Sequence, residues 1–189
     1  MTIFATLPPP LPSRPAVRRF LPFKSLYRLT ADRCVGDLEG DYSMLLIPDL
    51  LTYWLTGQKV AERTNASTTG LLDIHTGQWD DTLIARLGLP RSLFPSLVYA
   101  GSEIGPLLPA VANDIGATNG LEFVTVGSHD TASAVVAVPI TSDDCASLPC
   151  ATWSLVAGQP EPPVLSEPSP AAPSPTDATP HRPAAHRRP

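Results

Sequence analysis

The segment from Val126 to Val136 holds the side chains best suited to chemistry. A β-branched stretch ends at Val126, and Gly127 then turns the chain. His129 and Asp130 follow, just ahead of small residues that predict a helix. Because open α/β sheets bind ligands at the carboxyl ends of their strands, Asp130 could act there as a general base toward a substrate hydroxyl. The residue pattern alone favours a plainer role, in which Asp130 caps the helix.

Thr152 is a second candidate, since it stands where an alternating stretch predicts the start of another strand. In such a turn its hydroxyl and amide groups could hydrogen-bond a phosphate, although the pattern alone favours an ordinary strand threonine. His129, taken by itself, is more typical of a packing residue than of a catalyst. The sequence contains no Walker A loop, no dinucleotide-binding glycine fingerprint and no nucleophile elbow.

Alternating helix and strand signals predict the elements that position these residues. A helix with Leu26 and Leu29 on one face comes first, and the apolar run 44–47 predicts a buried strand. Asp49 is a suitable N-cap for the next helix, which we expect to end at Gly57. The large apolar side chains of that helix are expected on one side: Leu50, Leu51, Trp54 and Leu55.

The second half of the chain continues the alternation. Asp80 predicts the cap of another helix, and the run 123–126 predicts a strand. Residues 131–136 predict a helix built from small side chains. Helices and strands that alternate with short connections indicate an α/β domain.

Proline content separates this domain from two tails. Of the 23 prolines among 189 residues, five lie in residues 1–15 and ten lie in residues 159–189. The second of these segments also has almost no large apolar residues, so it cannot bury a core. We therefore expect a disordered proline-rich N-terminus over 1–17 and a disordered Pro/Ala/Ser/Arg-rich tail over 159–189.

Charge, hydropathy and cysteine usage exclude several classes of protein. A net charge of −5 leaves no electrostatic footprint for nucleic acid. No apolar run approaches the roughly 18 residues of a membrane span, so we expect no membrane partner. Three cysteines without a C-x-x-C pair argue against a disulfide framework and against a zinc site, and we expect no metal-ligating residues. They fit a reduced, cytoplasmic setting.

Five stretches taken together resemble the FGGY carbohydrate kinases. Three are broad sugar-kinase features: F-L-P-F-K-S-L-Y at 20–27, P-D-L-L-T-Y-W-L-T-G at 48–57 and T-N-A-S-T-T at 64–69. Two are more specific and narrow the resemblance to the rhamnulokinase group: G-S-H-D-T-A-S-A-V at 127–135 and T-W-S-L-V at 152–156. The similarity covers residues 19 to about 157 and leaves out both tails.

The resemblance implies part of an actin-like, ribonuclease-H-like kinase domain. Such enzymes transfer the γ-phosphoryl group of ATP, with Mg²⁺, to a sugar hydroxyl, here the 1-hydroxyl of L-rhamnulose. On the matching positions, Asp130 would be the catalytic base, and His129 and Thr131 would bind the sugar beside it. Thr152 would contact the ATP phosphates. Phosphoryl transfer needs a carboxylate placed near the nucleophilic oxygen, which agrees with this assignment.

The resemblance also implies domain boundaries. Residues 18–140 would be the C-terminal part of the family's N-terminal domain, and residues 141–158 would begin its C-terminal domain. The chain departs from the family in having Ala151 where glycine precedes the threonine, and in lacking a D-x-G-T/S-type phosphate loop. We therefore expect an internal kinase segment, from a truncated or frameshifted reading frame, that is inactive alone.

Two other functions remain open. A sugar-binding or regulatory fragment would keep His129 to Thr131 without catalysis. An interaction protein would use the tail, in which Pro170 and Pro173 form a PxxP match that can adopt polyproline II. Such a match is expected by chance in a proline-rich tail.

Overall fold

In a computed structural model of the chain, the described residues are 24–36, 38, 40–73, 75–117, 120–137, 146–147 and 157–158. Their α-helices are α1 (Ser25–Cys34), α2 (Ile47–Thr56), α3 (Arg63–Ala66), α4 (Asp81–Arg86), α5 (Pro109–Asp114) and α6 (Asp130–Ala137). Their strands are β1 (Val60–Glu62), β2 (Leu72–Asp73), β3 (Gln78–Trp79), β4 (Ser96–Val98), β5 (Glu103–Pro106), β6 (Glu122–Val124), β7 (Ala146–Ser147) and β8 (Ala157–Gly158). Short 3₁₀ turns cover Ser67–Thr69 and Arg91–Leu93.

Helix α1 follows the predicted amphipathic pattern. Leu26 and Leu29 are both buried, and Thr30 beside them donates its hydroxyl hydrogen bond to the Leu26 carbonyl at 2.7 Å. Arg33 lies in the last turn, where a cation complements the partial negative charge of the helix C-terminus. The predicted face of this helix is therefore confirmed.

The start of helix α2 differs from the prediction in two ways. The run 44–47 is not a strand, because the backbone is irregular up to Leu46 and α2 begins at Ile47. Pro48 occupies the first turn, where its fixed φ suits a helix and its missing N–H costs nothing. Asp49 does not cap this helix, since it lies inside the first turn and accepts a hydrogen bond from the distant Glu62 N–H at 3.0 Å. The end at Gly57 is as predicted, with φ 77° and its N–H bonded to the Tyr53 carbonyl.

Helix α2 buries its polar side. Three polar residues of this helix are buried: Asp49, Thr52 and Thr56. The hydroxyl groups of the two threonines each donate a hydrogen bond to the backbone carbonyl one turn earlier. Leu51 and Trp54, two of the large apolar residues predicted on one side of the helix, are 48% and 58% exposed, so that side does not form a buried face. Periodicity correctly grouped these residues on one side of the helix, but tertiary contacts decide which side meets the core.

Short strand pairs connect the helices. Strand β1 runs parallel to β4, with Glu62 opposite Val98, while β2 and β3 form an antiparallel pair. Strand β5 pairs antiparallel with β6 across an irregularity between Glu103 and Gly105, and β7 pairs antiparallel with β8. The predicted strand over 123–126 is present as β6, which ends at Val124.

Thr125 connects β6 to the chain that follows β4. Its hydroxyl donates to the Tyr99 carbonyl at 2.7 Å, and its amide donates to the Ser102 carbonyl at 3.0 Å. Gly101 donates in return to the Thr125 carbonyl at 2.7 Å. This connection brings the residues after β6 into the neighbourhood of the β1–β4 pair.

The core lies between α1, the strand pairs and α4. Its buried apolar members include Leu26, Leu71, Leu72, Trp79, Ile84, Leu87, Leu89, Leu93 and Phe94. The Trp79 and Phe94 rings have centroids 5.2 Å apart, and the Trp79 Nε1–H donates to the Pro95 carbonyl at 2.8 Å. Asp80 caps α4 as predicted, because its Oδ1 accepts the Leu83 N–H at 3.0 Å. Within the described residues, no helix has both the length and the apolar character needed to cross a membrane.

Candidate functional site

The turn into helix α6 presents the predicted site residues. The helix begins at Asp130, and the Ser133 N–H donates to the His129 carbonyl at 2.9 Å. The Ser133 hydroxyl donates to the Gly127 carbonyl at 2.6 Å. These two bonds fix the backbone over the four residues that precede and open the helix.

The Asp130 carboxylate points away from the protein interior. Its side chain is 92% exposed, and its Oδ1 accepts hydrogen bonds from the Thr131 N–H at 2.6 Å and the Thr131 hydroxyl at 3.3 Å. A capping side chain accepts from the second or third amide of a helix, so these bonds to the adjacent residue are not those of a cap. A carboxylate in the first turn remains favoured by the helix dipole and is accessible to a solute.

His129 lies beside this carboxylate but is mostly covered. Its side chain is 17% exposed, and its Nε2 is 3.9 Å from Asp130 Oδ1, beyond hydrogen-bond length. The buried Nδ1 has no hydrogen-bond partner among the described residues. The fold thus brings His129, Asp130 and Thr131 together at one helix start, as adjacent positions require, with the imidazole less accessible than the carboxylate.

Sequence reasoning missed a buried carboxylate next to this turn. Glu62, at the end of β1, is only 2% exposed, and its Oε2 accepts the Ser128 N–H at 3.1 Å and the Ser128 hydroxyl at 3.0 Å. It also accepts the Thr64 N–H at 3.0 Å, the Thr64 hydroxyl and the Asn65 N–H at 3.3 Å. The one available signal was an acidic residue two positions before the polar run 64–69.

A second buried carboxyl group supports Glu62 from helix α2. Asp49 is 2% exposed, and its Oδ1 accepts the Glu62 N–H, while its Oδ2 has no partner among the described residues. Burial is the main cause that raises the pKa of Asp49 to about 6. The negative charge of Glu62 also raises this pKa, while hydrogen bonds from the Glu62 and Leu46 backbones lower it. Asp49 therefore titrates close to neutral pH.

The predicted phosphate contact and a possible metal site are the two remaining features of the predicted site. Thr152, predicted to contact ATP phosphates, lies outside the described residues. Among those residues, no group of three His, Cys, Asp or Glu side chains is placed to hold a metal ion. The only side chain of the predicted set that combines a negative charge with exposure is Asp130, and a single carboxylate suits a base better than a complete Mg²⁺ site.

The turn that carries Asp130 lies within a segment that matches a known family. Residues 37–137 match the family model "FGGY family of carbohydrate kinases, N-terminal domain". The chain belongs to this family, whose members are ATP-dependent phosphotransferases. Its fold is part of the family's actin-like, ribonuclease-H-like domain.

Several individual sugar kinases are similar to this chain. Over 135 residues the chain is 42% identical to a rhamnulokinase from Enterococcus faecalis, an alignment that covers 71% of this chain and 27% of the relative. Over 140 residues it is 44% identical to a rhamnulokinase from Yersinia pestis, covering 73% and 28%. A carbohydrate kinase of solved structure from Novosphingobium aromaticivorans is 27% identical with a TM-score of 0.59, covering 74% of this chain and 31% of that one. The chain thus spans little more than a quarter of the curated relatives' length.

Proposed function

We propose that this chain is the sugar-side segment of a rhamnulokinase-type enzyme, which phosphorylates L-rhamnulose at its 1-hydroxyl with ATP and Mg²⁺ in the cytoplasm. The observation that carries the proposal is the Asp130 carboxylate, 92% exposed at the start of α6 and flanked by His129 and Thr131. The 42% and 44% identity to two rhamnulokinases supports L-rhamnulose as the substrate.

Asp130 would accept the proton of the attacking hydroxyl. A general base must reach the proton that it removes, and an exposed carboxylate on a fixed helix start satisfies this condition. The Thr131 hydroxyl, which already donates to Asp130 Oδ1, would hold the carboxylate in orientation and contact the sugar. His129 would contact the sugar through the exposed part of its ring.

ATP would supply the phosphoryl group, and Mg²⁺ would arrive with its phosphates. Thr152 is the residue that we propose for phosphate contact, and residues 141–158 for the beginning of the nucleotide-binding domain. Alanine at 151 places a Cβ where the family has glycine, and no D-x-G-T/S-type phosphate loop occurs in the sequence. We therefore propose that the chain alone binds sugar but does not complete the phosphoryl transfer.

The alternative is a sugar-binding or regulatory protein. The same two departures favour it, because both concern phosphate and neither concerns the turn that carries Asp130. The two functions differ in one measurable respect, which is whether ATP is turned over.

The test measures ADP release by the purified chain with L-rhamnulose and Mg-ATP, together with calorimetric titration of the sugar. Asp130→Asn keeps the shape of the side chain and removes the base, while Asp114→Asn changes another exposed aspartate at the end of α5 and serves as the control. We expect L-rhamnulose to bind, D-xylulose to bind more weakly, and Asp130→Asn to weaken sugar binding relative to Asp114→Asn. Turnover abolished by Asp130→Asn would establish a working kinase and remove the non-catalytic alternative. No binding of any ketose would refute the proposal.

A further inference from the structure

A buried glutamate lies directly behind the proposed site and has no part in the function proposed above. Glu62 is 2% exposed, so it cannot touch a sugar in solution. Ser128, with which it bonds, is 66 residues away in the chain and two residues before Asp130. A buried carboxylate is costly unless its oxygens are hydrogen-bonded, so its partners indicate what it stabilises.

The two carboxylate oxygens are fully used. Oε1 accepts the Thr64 N–H, and Oε2 accepts the Thr64 hydroxyl, the Asn65 N–H and both donors of Ser128. Five donors converge on two oxygens that offer about four lone-pair sites, so no acceptor site of Glu62 is left vacant. Bonds of this kind to a charged acceptor are roughly twice as strong as bonds between neutral groups.

Thr64 links Glu62 to His129, the residue that follows Ser128. Its hydroxyl donates to Glu62 and accepts the His129 N–H at 3.2 Å. Both backbone amides that immediately precede Asp130 are therefore held by the Glu62–Thr64 pair. The His129 carbonyl, which precedes Asp130 directly, accepts a hydrogen bond from the Ser133 amide. The backbone that leads into Asp130 is therefore held at its amides by Glu62 and Thr64 and at its last carbonyl by Ser133.

We propose that Glu62 is a positioning residue, which sets the direction of the Asp130 carboxylate by anchoring the amides of Ser128 and, through Thr64, His129. This inference rests on the proposed function in one respect, which is that Asp130 binds a sugar. Misplacement of a reacting group by about 1 Å is enough to cost a large factor in rate or affinity, so an anchor outside the site can control it.

Glutamine cannot replace the carboxylate at this position. Its amide has a single acceptor oxygen, and its NH₂ group would face the fixed N–H of Thr64 in one orientation and those of Asn65 and Ser128 in the other. Hydroxyl donors can rotate to accept, but backbone amides cannot, so at least one amide must lose its partner. In the first orientation the Ser128 amide keeps an acceptor but a neutral one, and in the second it has none, so its hydrogen bond is weakened or lost in either case.

The experiment follows amide hydrogen exchange by NMR in the full chain, with Glu62→Gln beside the matched control Glu103→Gln at an exposed position. Exchange at Ser128 and His129 should accelerate severalfold, up to about tenfold, in Glu62→Gln, as expected when a hydrogen bond to a charged acceptor is lost or replaced by one to a neutral acceptor. Exchange at Leu87 and Gly88, which are bonded within the end of α4, should stay unchanged. The ring-proton shifts of His129 should also move, since its backbone is released.

A second pair of variants covers the case in which Glu62→Gln does not fold. Ser128→Ala removes one of the two Ser128 donors and keeps the other, so its effect on exchange at Ser128 and His129 should be smaller but local. Ser128→Thr restores a hydroxyl at the same position and should recover the wild-type pattern. The proposal is overturned if exchange in Glu62→Gln and in Ser128→Ala matches the control, or if it accelerates equally throughout the molecule.

Sugar affinity, measured on the same samples, separates this proposal from the proposed function. Weaker L-rhamnulose binding in Glu62→Gln with unchanged exchange at Leu87 supports a positioning role. Wild-type protein that shows the expected exchange pattern but binds no ketose refutes the proposed function, while the anchoring of Ser128 and His129 by Glu62 is then supported by exchange alone.

Discussion

Asp49 should make the stability of this protein fall as the pH rises toward neutrality. Its carboxyl group is 2% exposed, and burial raises its pKa from 3.8 to about 6. The folded protein therefore binds a proton at Asp49 that the unfolded chain releases between these two values. The stabilisation that this proton provides is complete below about pH 4 and is lost as the pH rises through about 6.

The size of the effect follows from the shift. A difference between 3.8 and about 6 corresponds to about 3 kcal/mol in the free energy of unfolding at most, of which about 2 kcal/mol falls between pH 4.5 and 7.5. Asp49→Asn removes the titration and keeps an oxygen that can accept the Glu62 N–H. The new NH₂ group would occupy the place of Oδ2, which has no partner among the described residues, at a cost of about 1–2 kcal/mol.

Urea unfolding at a series of pH values from 4.5 to 7.5, roughly spanning the pKa, tests this reasoning. The difference in the free energy of unfolding between Asp49→Asn and wild type should increase in favour of the variant by about 2 kcal/mol across that range. Asp114→Asn, at an exposed position, should show no such trend. A difference between Asp49→Asn and wild type that does not change with pH would refute the assignment of the proton to Asp49.

Two further substitutions test the scaffold, with unfolding followed by urea or heat. Gly57→Ala should destabilise the protein by about 1–2 kcal/mol, because Gly57 ends α2 with φ 77°, where a Cβ is unfavourable even though Leu108 leaves it room. Gly101→Ala, also at positive φ but with open space around it, should cost a similar amount. An unchanged unfolding midpoint in Gly57→Ala would contradict this reasoning. Leu71→Ala should cost about 2–5 kcal/mol, since the side chain is 0% exposed in the core and its removal leaves a cavity; Leu121→Ala, at a half-exposed leucine, should cost much less.

Sequence reasoning succeeded where the signal was local. The cap at Asp80, the end of α2 at Gly57 and the buried face of α1 each depend on residues within one or two turns, and the structure has all three. The family was also found from short stretches, since a few contiguous motifs were specific enough to identify it. The grouping of His129 with Asp130 followed directly from their adjacency.

The failures arose where distant contacts decide. The hydrogen bond from the Glu62 amide draws Asp49 inward, and with it the polar side of α2, so Leu51 and Trp54 lie outside. No periodicity in the helix could indicate this, because the deciding donor lies on β1. The contact between Glu62 and Ser128 was equally beyond prediction, since it joins segments 66 residues apart that local patterns treat separately.

The geometry explains why the stretch from Ser128 to Ser133 is so informative. Ser128 uses its hydroxyl and amide to meet Glu62, Ser133 uses its hydroxyl to meet the Gly127 carbonyl, and Ala132 is 4% exposed where a larger side chain would not fit. Most of the stretch is thus committed to holding the turn in shape. Asp130 differs from these neighbours in having a charged group that is 92% exposed and whose hydrogen bonds go to the adjacent Thr131 and not to a distant segment. That contrast is the physical argument for assigning the chemistry to Asp130 and the positioning to the buried residues around it.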